Sequence, residues 1–463
     1  MKNGYFILLF ALLFGTQAIA QQPAIQYARS WDKDGINVFE PSKKAEQPEY
    51  TGFKLRIGGS FTQDFQSLTH SNAANYVKLS TANAVNKNLL YGVVKAEDST
   101  SVALRGFNLA MANLNFDIQI GDGVRVALEN YMSARHHNEF WVKGGYIQFD
   151  KLPMFGNPKW FSDYMRVKIG HFTPNYGDMQ FRRSDGGNTM YNPFCENLIL
   201  DAFTTEIGGE VYVFPVDGFM GMVGMSSGFI NGNIEKYPDA VGTNGLAIRK
   251  TPSVFAKVAY DNTFNDLRFR LSASLYSNPN IQRNTLYAGD RTGSHYFMMM
   301  EPALQSTGTA SAAIAQFTSG RFNPNMSNRL TAFMINPFLK YKGLEVFGSY
   351  ENLRGATYAD ATDGRWNERK FNQYAVEGVY RFLDNEQAYV GARYISASGD
   401  PGGTLLNNNV TINRTAVVAG WFPTKNMLLK GEYVVQQYTD FPAADYRNEG
   451  KFNGFMVEAV IGF

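Results

Sequence analysis

Two short stretches carry residue types able to do covalent chemistry. Gly224-Met225-Ser226-Ser227-Gly228 has the G-x-S-x-G spacing of a nucleophile elbow, in which a strained strand-to-helix turn presents a serine Oγ to a histidine. His136-His137 offers two imidazoles to a metal ion or to such a serine. Neither stretch fits its surroundings. The serines end an alternating, strand-like run before a polar loop, so the turn into a helix is missing. Neighbouring residues on a strand point to opposite faces, so one metal does not easily take both histidines. The doublet is expected at a loop tip, and the chain is expected to be non-enzymatic, with no cofactor and no bound metal.

The remaining chemistry is charge, and it comes in a regular pattern. In "FKLRIGGSFTQDFQ", Phe53, Leu55, Ile57, Phe61 and Phe65 fall on one parity, while Lys54, Arg56, Ser60, Thr62 and Asp64 fall on the other. "LNFDIQIG", "VRVALE", "MRVKIGHF", "LRFRLSASLY", "LEVFGSYE", "YAVEGVYRF", "AYVGARY" and "LLKGEYVV" repeat it. This is the period of two of a β-strand. Each run is roughly eight to fourteen residues, the length of a tilted strand crossing a bilayer. Tight turns at Gly121-Asp122-Gly123, Pro215-Val216-Asp217-Gly218, Leu383-Asp384-Asn385-Glu386 and Pro423-Thr424-Lys425-Asn426 alternate with long polar loops. The pattern predicts an all-β, transmembrane antiparallel β-barrel of about sixteen strands, with short periplasmic turns and long extracellular loops. A soluble sandwich is disfavoured, because its strands are shorter and its second apolar face is absent here.

Composition agrees. Aromatic residues make up 14% of the chain, charged residues only 18%, and the formal net charge of +2 lacks the basic face of a nucleic-acid binder. "MKNGYFILLFALLFGTQAIAQQ" reads as a signal peptide over residues 1–20, cut after Ala-Ile-Ala, followed by a periplasmic segment over 21–50 and the barrel over 51–463. The bacterial outer membrane is the expected location. Phe463 is expected at the membrane interface on the closing strand, where aromatic rings are favoured, with Phe422 and Tyr433 in the same girdle.

If the apolar parity faces lipid, the other parity lines the lumen. Its basic members include Lys54, Arg56, Arg125, Arg166, Lys168, Arg268 and Arg270, taken as pore-wall candidates, with Lys257, Lys340, Arg381, Arg393 and Lys430 beside them. Asp64, Asp117, Glu129, Glu206, Glu210, Glu345, Glu351, Glu377, Glu432 and Glu458 nearly balance them. Pores select by rings of one sign, so the balance predicts at most a weak anion preference, and many of these charges are expected to pair across strands.

"VKIGHFTPNYGDMQF", Val167 to Phe181, sets Gly170, Phe172, Pro174 and Gly177 in the order G-x-F-x-P-x-x-G, which resembles the G-x-F-x-x-P-x-G stretch of the phosphate-selective porin O and P family with its proline one place earlier. "LEVFGSYE" is similar to another strand of those porins. The resemblance implies a sixteen-stranded, commonly trimeric channel for small hydrophilic solutes or anions. It implies that Phe463 is the signal read by the outer-membrane insertion machinery. It also implies that the loop over 173–204 folds into the lumen, where Arg182, Arg183 and Asp185 become constriction candidates, unless the arginines instead brace the loop against wall carboxylates such as Glu206 or Glu210. Phe181, Met190, Phe194 and Leu198 would pin such a loop to the inner wall, since a loop in water has little use for them. The expected function is passive diffusion through a water-filled lumen. The alternative is a plugged barrel that binds or assembles with partners through its long loops, among which "HYFMMMEPALQ" offers an apolar surface.

Overall fold

The computed structural model describes residues 22–75, 88–91, 103–134, 139–184, 189–227, 243–289, 292–303, 319–405 and 407–463. Sixteen antiparallel strands close into one barrel. In chain order they are β1 (Lys54–Ser71), β2 (Leu104–Gly121), β3 (Val124–Ser133), β4 (Trp141–Phe149), β5 (Met165–Phe172), β6 (Glu206–Val213), β7 (Phe219–Ser226) and β8 (Ser253–Phe264). They continue as β9 (Leu267–Asn278), β10 (Arg329–Tyr341), β11 (Leu344–Ala356), β12 (Arg369–Phe382), β13 (Ala388–Gly399), β14 (Val410–Thr424), β15 (Met427–Thr439) and β16 (Lys451–Gly462). Closure runs from Ser60 opposite Gly462 to Ser71 opposite Lys451. Phe463 extends it by one residue: its N–H donates to Gly59 O and its carbonyl accepts from Gly59 N. A closed ladder leaves no edge and satisfies the backbone in lipid.

The parity read from the sequence sets the two faces. Leu55, Ile57, Phe61 and Phe65 are exposed on the outside of β1, and Ser60, Thr62 and Asp64 are buried inside. On β16, Phe455, Val457 and Ile461 point out while Met456, Glu458 and Val460 point in. Two aromatic expectations are corrected. Phe422 faces the lumen, buried, because strict alternation along β14 puts Trp421 on the lipid side and Phe422 against Tyr389. Tyr433 does face outward, but it pairs with Phe455, well up the strand from the turn-end pair Met427 and Ile461, so it lies away from the interface girdle.

The core of this molecule is inside the barrel. Met190, Phe194 and Leu198 from the β5–β6 loop and Met299 and Phe322 from the β9–β10 loop pack with wall residues such as Phe338, Phe347, Ile395 and Val434.

Candidate functional site in the lumen

Among the described residues, three segments do most of the filling of the barrel. Residues 22–50 enter from the short-turn end, where Lys33 N donates to Lys425 O in the β14–β15 turn. Trp31 lies flat against β1, where a Cβ at Gly58 would fall 1.9 Å from its ring, and its Nε1 donates to Asp117 at 3.0 Å. Deeper in, the Phe39 ring meets Phe181 and Phe338 edge-on at 5.7 and 5.5 Å.

The β5–β6 loop, described over 173–184 and 189–205, dives inward immediately after β5. Gly177 makes this possible: its φ is +69°, and any Cβ there would strike Met334 Sδ at 2.3 Å. The wall then holds the loop by its backbone. Arg393 donates to Glu196 O at 2.7 Å, Arg414 to Asn197 O at 2.7 Å, Lys430 to Asn192 O and Phe194 O at 2.9 and 3.0 Å, and Tyr389 Oη to Pro193 O at 2.9 Å. Gln373 both accepts from Leu200 N and donates to Leu200 O, at 2.7 and 3.0 Å.

The described parts of the β9–β10 loop, 279–289, 292–303 and 319–328, fill the opposite end. Tyr296 Oη donates to Glu432 at 2.7 Å, Met300 N to His70 Nδ1 at 2.9 Å, and Arg321 pairs with Asp201 at 2.8 Å. Met298, Met299 and Met300 are buried here instead of forming an outer surface.

Two ionic knots tie these segments to the wall. In the first, Lys257 on β8 lies 2.8 Å from Glu40 of the N-terminal segment and 2.7 Å from Asp178 of the β5–β6 loop. Arg270 on β9 grips Asp178 with Nε and Nη2, both at 2.8 Å, and reaches Glu40 at 2.7 Å. Such bidentate, desolvated contacts are the strong kind of charged hydrogen bond. The two cations hold Glu40 down at about 2, against the opposing effect of burial. In the second knot, His295 Nδ1 sits 2.7 Å from Asp64 and 3.0 Å from Glu458, and Lys430 lies 2.5 Å from Glu458. Asp64, His295 and Glu458 bring their ligand atoms within 4.8 Å of one another, close enough to hold a metal ion. Lys430 already occupies Glu458, and the imidazole lies between the two carboxylates.

The residues singled out from sequence are distributed through this network. Arg182 and Arg183, 1% and 2% exposed, reach Glu377 at 2.5 Å and Asp201 at 2.7 Å, with Arg182 also donating to Asn37. Asp185 lies outside the described residues. Arg56 and Arg125 share Asp117, at 2.5 and 3.2 Å. Arg166 meets Asp150 at 2.8 Å, Lys168 meets Glu210 at 3.2 Å, and Arg268 meets Asp261 at 2.7 Å. Lys54 donates to Glu49 O at 3.1 Å, near the mouth. Arg56 and Arg268 also hold the N-terminal segment, donating to Arg29 O at 2.6 Å and Asn37 O at 2.9 Å, while Arg270 joins the first knot. Glu40, Asp178, Asp201, His295 and Arg414 escaped sequence reasoning. The first four lie on segments without periodicity, and Arg414 sits on β14, whose apolar residues fall on both parities.

At mid-height the wall is dry. Asn336, Gln373 and Gln436 are fully buried and Ser272 is 1% exposed. A recess of about 1200 Å³ remains at the short-turn mouth, lined by Glu40, Lys44, Asp261 and Arg268 among others. Another of about 600 Å³ lies among Arg283, Tyr287, Asn323 and Asn325, and the two linings share no residue.

No protein-family model matches the chain, and no curated protein matches its sequence. Solved structures do match. The outer membrane channel DcaP of Acinetobacter baumannii aligns with TM-score 0.52 and 11% identity, over 90% of this chain and 100% of that one. An anion-selective porin from Comamonas acidovorans gives 0.47 and 11%, over 89% and 100%. A trimer form of the Vibrio cholerae outer membrane protein OmpT gives 0.47 and 10%, over 89% and 100%. The likeness to DcaP is one of fold. With its closed sixteen-stranded ladder and apolar outer face, the chain is a barrel of the bacterial outer membrane.

Proposed function

We propose that the chain is a porin-type barrel for small hydrophilic solutes whose lumen is closed by its own segments, so that passage requires the plug to yield. The observation that carries this reading is the dry wall at mid-height: side chains that would face water in an open pore are spent on loop carbonyls and buried carboxylates. The fold supports a porin-type barrel, and the stretch at 167–181 supports kinship with the phosphate-selective porin O and P family and assembly as a homotrimer. Each basic wall candidate has an acceptor within reach, which favours weak selectivity over a pronounced anion preference. We propose that Arg182 and Arg183 brace the plug, that Phe463 serves as the insertion signal, and that residues 1–20 and 21–50 are a signal peptide and a periplasmic segment. The proposal is non-enzymatic: Ser226 ends β7 with its Oγ donating to the Glu206 carboxylate.

The same dry lumen favours a second reading, a permanently plugged barrel that binds or assembles with partners through its long loops. Planar-bilayer recording of the folded protein separates the two. A gated channel rests closed and shows discrete openings; a scaffold shows none under any applied voltage. A steady open level in the resting protein would contradict both.

A further inference from the structure

The barrel wall is not equally high all round. β1 and β2 have 18 residues each, but β4 has 9 and β5, β6 and β7 have 8. Eight residues at a tilt near 40° rise only about 20 Å, short of the ~25 Å apolar band that an outer-membrane barrel presents. Beneath this low wall the connection between β4 and β5 is unlike the other short-turn connections. It runs over residues 150–164 and contains a helix, α1 (Lys159–Tyr164), whereas β8–β9 and β10–β11 turn in two residues.

Its composition is unlike a periplasmic turn. Met154, Phe155, Trp160 and Tyr164 are 58, 74, 60 and 47% exposed. The α1 sequence sorts them: Phe161 is buried toward the barrel, Trp160 and Tyr164, four apart, share a flank, and exposed Lys159 and Asp163 lie on the side away from Phe161. Tyr164 O accepts from Phe214 N, fixing the end of α1 to the end of β6. Val213, Val216 and Phe219 continue the exposed apolar surface along the rim. The patch is therefore contiguous with the lipid-facing band.

We propose that residues 152–164 form a foot lying in the headgroup boundary of the periplasmic phospholipid leaflet, with Met154, Phe155 and Trp160 among the acyl chains, completing the apolar band where the wall is lowest. Aromatic and basic residues on such a segment suit that boundary, and Lys159 stands free to meet phosphate. The alternatives, a second copy or a periplasmic protein covering the patch, differ in what reaches it.

The test uses full-length protein in vesicles of phosphatidylethanolamine and phosphatidylglycerol. A fluorophore is placed at Phe155→Cys and, as a water-exposed control, at Glu46→Cys; buried Cys195 stays unlabelled in the parent. The expected result is stronger quenching at Phe155→Cys by lipids carrying a nitroxide near the headgroup than near the chain end. Iodide quenching should be several-fold weaker than at Glu46→Cys. Iodide quenching equal to the control, or protection from both iodide and lipid quenchers, would overturn the proposal, the latter pointing to a protein cover. Independently, brominated lipids should quench the native fluorescence more than that of Trp160→Phe, and equal quenching would also overturn it.

Discussion

Replacing Asp178 by Asn together with Glu40 by Gln should unlatch the plug. The two changes keep side-chain shape but remove the two carboxylates that Lys257 and Arg270 share; these cations are 1% and 2% exposed. Two like charges are then left in a buried site with amide and carbonyl acceptors, such as Asn175 Oδ1 and Gly177 O at 2.9 and 3.0 Å from Lys257, and with one remaining carboxylate, Asp261, 3.4 Å from Arg270. Breaking one buried pair by removing a partner costs about 3–5 kcal/mol. Because both carboxylates sit on plug segments and both cations on wall strands, that cost falls on the docked state and not on the barrel. The closed-to-open ratio should drop roughly 150- to 5,000-fold. Single-channel recording reads this as open probability, with heat-modifiable gel mobility certifying a folded barrel. A folded double variant with unchanged open probability would refute the reasoning.

Other perturbations discriminate the same account. Arg182→Gln with Arg183→Gln should raise open probability, leaving the reversal potential in a salt gradient little changed; a shifted reversal potential with unchanged gating would return these arginines to a constriction. Acid should act late: the folded state holds Glu40 at about 2, below its ordinary 4.5, so its contribution to closure is present above pH 4.5 and is lost as pH falls from there toward 2. A difference in conductance between the parent and Glu40→Gln that vanishes already between pH 7 and 5 would contradict this. Leu271→Arg, on the lipid face of β9 and 43% exposed, should cost about 2–4 kcal/mol and reduce folded yield, whereas Leu271→Phe should not. Deleting Phe463 removes both backbone bonds to Gly59 and should lower folded barrel in outer-membrane fractions more than Val460→Ala, judged by gel mobility; equal yields would argue against it.

The barrel was legible in the sequence because its two faces meet different solvents, and alternation records that difference residue by residue. Leu55 against Arg56 and Leu271 against Arg270 are enough to set the register of β1 and β9. The pattern failed on β14, where Ile412 and Phe422 face inward beside Arg414: a lumen filled with protein accepts apolar side chains as readily as lipid does, so polarity no longer marks the side. The plug was half legible. The apolar residues of the β5–β6 loop announced that it is not a solvent loop, and the near balance of lumen charges is what ion pairing requires. Residues 22–50 gave no such sign, because their anchors, Trp31, Phe39 and Glu40, are single contacts without a period. The depth of filling is a tertiary property, set by which segments reach Lys257, Arg270 and Lys430.

The central claim is that the lumen wall is dry, and cysteine accessibility measures it directly. Ser272→Cys and Gln373→Cys, both on the inner face at mid-height, are placed in the folded protein and exposed to a small charged thiol reagent, with Glu46→Cys as the accessible control. Both wall positions should stay unlabelled while the control reacts to completion, and should become reactive in the Glu40→Gln, Asp178→Asn background. Labelling of the wall positions in the otherwise native protein at the rate of the control would show a water-filled pore and contradict the account.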